Sequence, residues 1–170
     1  MNQQFFLAIN SFAGQWPGLD VLGIFLAEKF LYVFGLIILL LWLNKRLRPY
    51  VYVAFVSAFV SRVIIVEILK RIFDHPRPYE IITNIHQLLA DNEHGMSFPS
   101  GHAVIYFSFA FAFWDTEYFW PFLVFATLGS IARVFVGVHF PFDILASLVI
   151  AAVCVGGIRS LKLKFFKKRG

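Results

Sequence analysis

Long apolar stretches, separated by short polar segments, run through most of the chain. Residues 5–12 form a short apolar stretch that Gly14 and Pro17 end, and its length favours a helix lying in the membrane interface. Longer stretches are interpreted as membrane spans, at residues 19–43, 50–69, 103–114, 119–138 and 140–158. Because irregular backbone cannot face lipid, the pattern predicts an all-α fold, a polytopic membrane helical bundle of about five transmembrane helices with a short N-terminal interfacial helix.

The overall composition favours a membrane protein with a single domain, residues 1–170. Hydrophobic residues make up 59% of the chain and the mean hydropathy is +0.74, which argues against an ordinary soluble domain. The net charge of +5 includes basic clusters at residues 45–48 and 162–169, each beside an apolar stretch. The positive-inside rule explains these clusters better than nucleic-acid binding does, so the predicted partner is the lipid bilayer and no nucleic acid is expected.

The charge pattern also predicts how the spans are oriented. With five spans, both basic clusters lie on one side of the membrane, which the positive-inside rule assigns to the cytoplasm together with the C-terminus. The opposite side receives the end of the second span, the start of the third and the junction of the fourth and fifth. The expected location is therefore the cytoplasmic (inner) membrane. Residues 1–18 are interpreted as an interfacial segment, and residues 71–98 as an extracytoplasmic loop over a site.

Polar clusters occupy the three extracytoplasmic segments, although membrane spans generally exclude ionisable side chains that have no function. They are Lys70-x6-Arg77-Pro78, Pro99-Ser100-Gly101-His102 and Arg133-x5-His139-x3-Asp143. Cations of this kind bind a phosphoryl group, one imidazole can attack phosphorus, and the other can protonate the leaving oxygen. If the clusters converge, they predict phosphoryl-transfer chemistry.

The spacing within the clusters suggests roles for several side chains. Asp143 falls in the first turn of the fifth span, where its carboxylate can accept the proton of one nitrogen of His139 and leave the other free to attack. His102 follows Ser100 and Gly101 at a helix start, where backbone N–H groups can hold anionic oxygens. A metal site is disfavoured, because Asp143 is the single carboxylate among three matched cations.

The clusters, in this order and spacing, resemble the signature of the type-2 phosphatidic acid phosphatase (PAP2) superfamily. That signature reads K-x6-R-P, P-S-G-H and S-R-x5-H-x3-D, and the resemblance is detailed from Glu67 to Asp143. One position departs from it: Ala132 stands where the family usually has Ser. That Ser usually helps to hold phosphate, so the resemblance does not imply this hydrogen bond to the substrate here. It implies a metal-independent lipid phosphatase without a cofactor, working through a phosphohistidine.

The resemblance implies a role for each matched residue. His139 would be the nucleophile, His102 the general acid and Asp143 the residue that orients His139. The substrate phosphate would be bound by Lys70, Arg77, Ser100, Gly101 and Arg133. The compact length and the N-terminal stretch are similar to undecaprenyl-diphosphatases of this superfamily, so undecaprenyl pyrophosphate is the favoured substrate. Phosphatidylglycerophosphate, phosphatidic acid and lipid A 1-phosphate are the alternatives within the superfamily.

Functions of other kinds fit part of the pattern. A non-enzymatic protein that binds or transports anions could use the same cations, but it would not need the paired imidazoles of His102 and His139. Vanadate-dependent haloperoxidases share the signature but are soluble, which the hydrophobic spans disfavour.

Ionisable residues outside the signature are not assigned a catalytic role. Arg62 and Glu67 interrupt the second span and are expected either to form an ion pair that faces the bundle or to contact the site. His75, His86 and His94 match no position of the signature and are expected to be solvated loop residues.

Overall fold

The regular structure of the chain is helical. The computed structural model describes residues 1–89 and 96–167, with side chains described as far as Leu161, and each regular element in that part is a helix. In chain order the helices are α1 (Asn2–Asn10), α2 (Pro17–Leu43), α3 (Arg48–Ile72), α4 (Pro78–Ile81), α5 (Gly101–Phe111), α6 (Phe119–Phe135) and α7 (Pro141–Lys167). The prediction of an all-α membrane bundle is confirmed.

The apolar helices of the bundle fall into two groups by length. Within the described residues, α2, α3 and the part of α7 up to Leu161 are long and apolar enough to cross a membrane, with mean hydropathies of 2.1 to 2.3. Helices α5 and α6 are apolar but shorter, at 11 and 17 residues. A crossing normally needs about 20 apolar residues. The number of five crossings therefore stays a prediction.

Several element boundaries differ from those expected from the sequence. Helix α3 continues to Ile72, and the polar segment beyond it contains the short helix α4, so the expected loop is partly helical. Helix α6 ends at Phe135 rather than three residues later, because the chain turns through Gly137 at a φ of 90°, which disfavours residues with a Cβ. Helix α7 begins at Pro141, within one residue of the expected start of the fifth span, and proline is favoured at the first helical position because its missing N–H would be unpaired there anyway.

Helix α5 lies at the centre of the bundle and packs against α3, α6 and α7. Aromatic rings fill the space between it and α2. The ring of Phe34 on α2 is buried with its centroid 5.3 to 6.2 Å from those of its aromatic neighbours, namely Phe30, Tyr106, Phe109, Phe122 and Phe125. Such offset and edge-to-face contacts add packing energy in a membrane, where lipid weakens the hydrophobic drive between helices.

A small residue allows α5 and α6 to approach closely. A Cβ built on Gly129 of α6 would lie 2.6 Å from the ring of Tyr106 on α5. That ring cannot easily retreat, because it stacks on Phe30 and Phe34 and its hydroxyl donates to the carbonyl of Leu26 at 2.9 Å. Gly129 therefore sets the distance between the two helices.

The end of the bundle remote from the polar clusters is held by Arg159 of α7. Its guanidinium donates to both carboxylate oxygens of Asp115, at 2.9 and 2.7 Å, and lies 5.5 Å from the ring of Tyr50. The hydrogen bonds from Arg159 hold the pKa of the Asp115 carboxyl below its usual value. Because Tyr50 follows the basic turn at residues 45–48, this turn and the end of α7 belong to the same end of the bundle.

We expect Gly129→Ala to destabilise the protein, because the added methyl group overpacks the Tyr106 ring at a typical cost of about 1–3 kcal/mol. Thermal unfolding in detergent would show a lower midpoint. Gly156→Ala in α7 is the matched control, since a Cβ there meets nothing within 4 Å. Equal midpoints for the two variants would contradict the role given to Gly129.

Candidate active site

His139 and Asp143 form a buried pair at the junction of α6 and α7. His139 is 2% exposed and Asp143 is 1% exposed. The Nδ1 atom of His139 lies 3.3 Å from Oδ2 of Asp143, and the same oxygen accepts a hydrogen bond from the backbone N–H of Phe140 at 2.8 Å. The contact arises because Asp143 is in the first turn of α7, one turn beyond His139. It directs Nδ1 towards the carboxylate and leaves Nε2 of the imidazole for another partner.

Ser97 is a third member of this pair that the sequence interpretation missed. Its buried hydroxyl donates to Oδ2 of Asp143 and lies 3.5 Å from Nδ1 of His139. Its backbone N–H donates to the carbonyl of His75 at 2.7 Å, which fixes the segment that carries it. Ser97 stands two residues before Pro99, just outside the signature, and no periodic pattern marks it.

Ser147 on α7 supports the same segment from the other side. Its hydroxyl lies 2.6 Å from the carbonyl of Asp143 and 3.0 Å from the carbonyl of Ser100, so it bridges α7 and the start of α5. Ser147 is one helical turn beyond Asp143, and that spacing on one helix face was a signal that could have identified it.

Arg133 is buried in the last turn of α6, with 4% of its surface exposed. Its guanidinium donates to the carbonyl of Ala27 at 3.2 Å. Ala27 lies in a π-helical segment of α2, Phe25–Lys29, whose wider turn departs from regular α-helical hydrogen bonding. A main-chain irregularity in one helix therefore positions a cation of another.

Arg77 and Lys70 lie where α3 leads into α4. Arg77 is 2% exposed and precedes α4, and its backbone N–H donates to Glu80 at 2.8 Å. Its charge acts on both His102 and His139, so it lies within electrostatic reach of the two imidazoles. Lys70 is half-buried in the last turn of α3, at the same end of the bundle.

The third cluster forms the N-terminus of α5. The hydroxyl of Ser100 accepts a hydrogen bond from the N–H of Ala103 at 3.4 Å and caps the helix. His102, in the first turn, interacts electrostatically with Arg133 and His139. The signature residues of the three clusters thus gather at one end of the bundle, as the charge pattern predicted.

The environment of His139 keeps its imidazole neutral. Burial lowers the pKa of His139 to about 4; the hydrogen bond that its Nδ1 donates to Asp143 opposes this effect and the charge of Arg133 reinforces it. His139 lies between α6 and α7, outside both helices. A neutral imidazole with a lone pair on Nε2 is a competent nucleophile near neutral pH.

For the ionisable residues outside the signature, the structure agrees with some of the expectations and contradicts one. The ion pair of Arg62 and Glu67 is present. The interpretation of His75 as a solvated residue was wrong: its half-buried ring stands edge-on to that of Phe140, with centroids 5.6 Å apart, because the loop folds back over the start of α7. His86 is exposed, and His94 lies outside the described residues.

Ala132, the departure from the signature, faces an apolar cluster. It is 5% exposed and packs in a group of buried residues that includes Ala13, Ala27 and Phe135. The small side chain of Ala132 thus fits a closely packed apolar environment.

Metal ligands are not clustered in the part of the chain that the structure describes. No group of three or more histidine, cysteine, aspartate or glutamate side chains there is arranged to hold a metal ion. The ionisable side chains of the signature are instead cations, imidazoles and one carboxylate.

Comparison with known proteins gives this arrangement its class. The family match, the relatives and the fold are those of a membrane lipid phosphatase. The chain belongs to the PAP2 superfamily, whose sequence profile matches residues 49–167. The match includes all three polar clusters.

Similar proteins extend the match to most of the chain. Undecaprenyl-diphosphatase BcrC of Bacillus subtilis (strain 168) is 30% identical over 157 residues, covering 90% of this chain and 80% of the relative. The putative undecaprenyl-diphosphatase YbjG of Escherichia coli (strain K12) is 31% identical over 158 residues, covering 88% and 76%. The crystal structure of Aquifex aeolicus LpxE has a TM-score of 0.79 at 27% identity and covers 95% of this chain and 94% of that one.

We expect Ser97→Ala to lower the rate of phosphate release by about 10- to 100-fold, since a hydrogen bond to a charged group contributes about 1.5–3 kcal/mol. The loss should appear in kcat rather than KM, because Ser97 contacts His139 and Asp143. Ser108→Ala is the control, as that buried hydroxyl contacts Ser61 in the core, 3.2 Å away. Unchanged kcat in Ser97→Ala would show that the pair is oriented without it.

Proposed function

We propose that this membrane lipid phosphatase hydrolyses undecaprenyl pyrophosphate at the outer face of the cytoplasmic membrane, through a phosphohistidine formed on His139. The relatives named undecaprenyl-diphosphatase, which match about nine-tenths of the chain, support the choice of substrate. The observation that carries the mechanism is the contact between Nδ1 of His139 and Asp143.

In the first step, Nε2 of His139 attacks the terminal phosphorus. A bond from Nε2 to phosphorus forms while the bond from phosphorus to the bridging oxygen breaks, and the leaving group carries away the electron pair of that bond. Asp143 accepts a hydrogen bond from Nδ1 and stabilises the positive charge that develops on the ring. His102 can donate a proton to the leaving oxygen.

In the second step, water attacks the phosphohistidine and releases inorganic phosphate. His102, deprotonated after the first step, accepts a proton from the water, and His139 regains its neutral form. Arg77 and Arg133, buried beside the imidazoles, balance the negative charge of the phosphoryl oxygens in both steps. Lys70, at the end of α3, adds a positive charge on that side.

The distribution of charge supports an extracytoplasmic site. The basic turn at residues 45–48 and Arg159 lie at the end of the bundle remote from His139. The positive-inside rule assigns the basic end to the cytoplasm. The site then faces the outer leaflet, where its substrate would be a lipid head group.

A second candidate is a phosphatase for lipid monoesters, such as phosphatidylglycerophosphate, phosphatidic acid or lipid A 1-phosphate. An alcohol leaving group needs a proton more than a phosphate does, and His102, which interacts electrostatically with His139, is the side chain that would supply it. Anion binding without turnover is the remaining alternative, and it does not explain why a neutral His139 is buried with its carboxylate partner.

We expect His139→Ala to abolish phosphate release from undecaprenyl pyrophosphate, because the bond from nitrogen to phosphorus cannot form. His102→Ala should be strongly impaired with monoesters and less impaired with substrates that have good leaving groups. The assay is phosphate release by purified protein in detergent containing EDTA, offered undecaprenyl pyrophosphate and each monoester lipid.

His86→Ala is the matched control, since this exposed histidine lies in the loop beyond α4. It should retain the activity of the unaltered protein. Substantial activity in His139→Ala would overturn the phosphohistidine mechanism. Faster release from a monoester than from the diphosphate would favour the second candidate.

The membrane orientation can be tested with single cysteines in a Cys154→Ala background. Thr83→Cys, in the exposed loop at the site end, should react with a membrane-impermeant thiol reagent in intact spheroplasts. Lys45→Cys, in the exposed basic turn, should react only after the membrane is opened. The reverse labelling pattern would place the site in the cytoplasm and contradict an outer-leaflet substrate.

A further inference from the structure

Arg62 is a cation at the site that the signature does not contain. It lies in the middle of α3, within a π-helical segment, Val60–Val66. Such segments often occur at functional sites, because they redirect a side chain from its regular helical position. The charge of Arg62 acts on His102, as does that of Arg133.

The guanidinium of Arg62 lies directly against the start of α5. A Cβ built on Gly101 would be 2.5 Å from Nε and 3.1 Å from Cζ of Arg62. Gly101 therefore provides the space that this side chain occupies. Because Gly101 precedes His102, the guanidinium stands beside the residue assigned to protonate the leaving oxygen.

Placing a charged arginine in an apolar membrane helix costs free energy. The packing around Arg62 does not by itself explain why an arginine occupies this position. The side chain is 37% exposed, and it forms an ion pair with Glu67, which is 44% exposed. Val63 and Ile64, which follow it on α3, are exposed apolar residues. Glu67 offsets part of the charge while the guanidinium stays accessible at the edge of the site, which is the arrangement expected of a functional charge in a membrane helix.

We propose that Arg62 binds the leaving phosphate of a lipid diphosphate, and so favours diphosphates over monoesters. This inference rests on the proposed function. Arg62 precedes Lys70 by eight residues, so its backbone lies at most about 12 Å further from the site end of α3, towards the membrane interior. The leaving phosphate is attached to the lipid chain and must lie on that side of the transferred phosphoryl group. A guanidinium beside His102 can bind its oxygens in bidentate fashion.

A monoester provides nothing for Arg62 to bind in this position, because its leaving group is an uncharged alcohol. Arg62→Gln should therefore lower kcat/KM for farnesyl diphosphate by about 10- to 100-fold, mostly through KM. For farnesyl monophosphate, kcat/KM should change by less than about threefold. Arg62→Lys should recover part of the loss, since it keeps the charge but not the fork of donors.

Arg71→Gln is the matched control, because Arg71 is an exposed cation in the last turn of the same helix. It should leave the ratio of the two substrates unchanged. A loss that is equal for both substrates in Arg62→Gln would show a general or structural role and overturn the proposal. An unchanged diphosphate rate would overturn it as well.

Binding tests the same inference without turnover. Farnesyl methylenediphosphonate should raise the thermal unfolding midpoint of the unaltered protein more than farnesyl phosphonate does, and Arg62→Gln should remove that difference. If the unaltered protein released phosphate neither from the farnesyl substrates nor from undecaprenyl pyrophosphate and the monoester lipids, the proposed function would fail, while this binding difference would still decide the role of Arg62. Equal shifts by both compounds in the unaltered protein would overturn the proposal for Arg62.

Discussion

The buried carboxylate of Asp143 is the contact on which the rest of the site depends. Its Oδ2 accepts hydrogen bonds from Ser97 and from the N–H of Phe140, and it faces Nδ1 of His139. A carboxylate with 1% exposure would cost several kcal/mol if these partners were absent. The loop before α5 and the junction of α6 and α7 must therefore meet at this point, and their meeting brings Ser97 and His139 together.

Irregular turns in the long helices supply the other supports. The π-helical segment of α2 offers the carbonyl of Leu26 to the hydroxyl of Tyr106 and the carbonyl of Ala27 to Arg133. The π-helical segment of α3 carries Arg62 to the start of α5. In a membrane, backbone groups that leave regular helical bonding need protein partners, and here those partners are side chains at the core and the site.

The two ends of the bundle differ in what their charges do. At the end that holds Arg159, cations lie near the surface and contact Asp115 and aromatic rings, which suits an interface with water and head groups. At the end that holds His139, Arg77 and Arg133 are buried around the imidazoles. Buried cations without an equal number of carboxylates create a strongly positive site, and a phosphate group is the kind of ligand that such a site can hold.

The sequence by itself determined the helical bundle, the class of chemistry and the residues that gather at one end. Hydropathy and the cost of ionisable residues in lipid act locally, so they can be read along the chain, and the one-turn spacing of His139 and Asp143 is equally local. The roles of Ser97 and of the Ala27 carbonyl appeared only in the tertiary structure, as did the contact of Arg62 with Gly101 and the packing of His75 on Phe140. Each of these contacts joins segments far apart in the chain, and the loop path or helix irregularity that creates it depends on packing between helices, which no local pattern encodes.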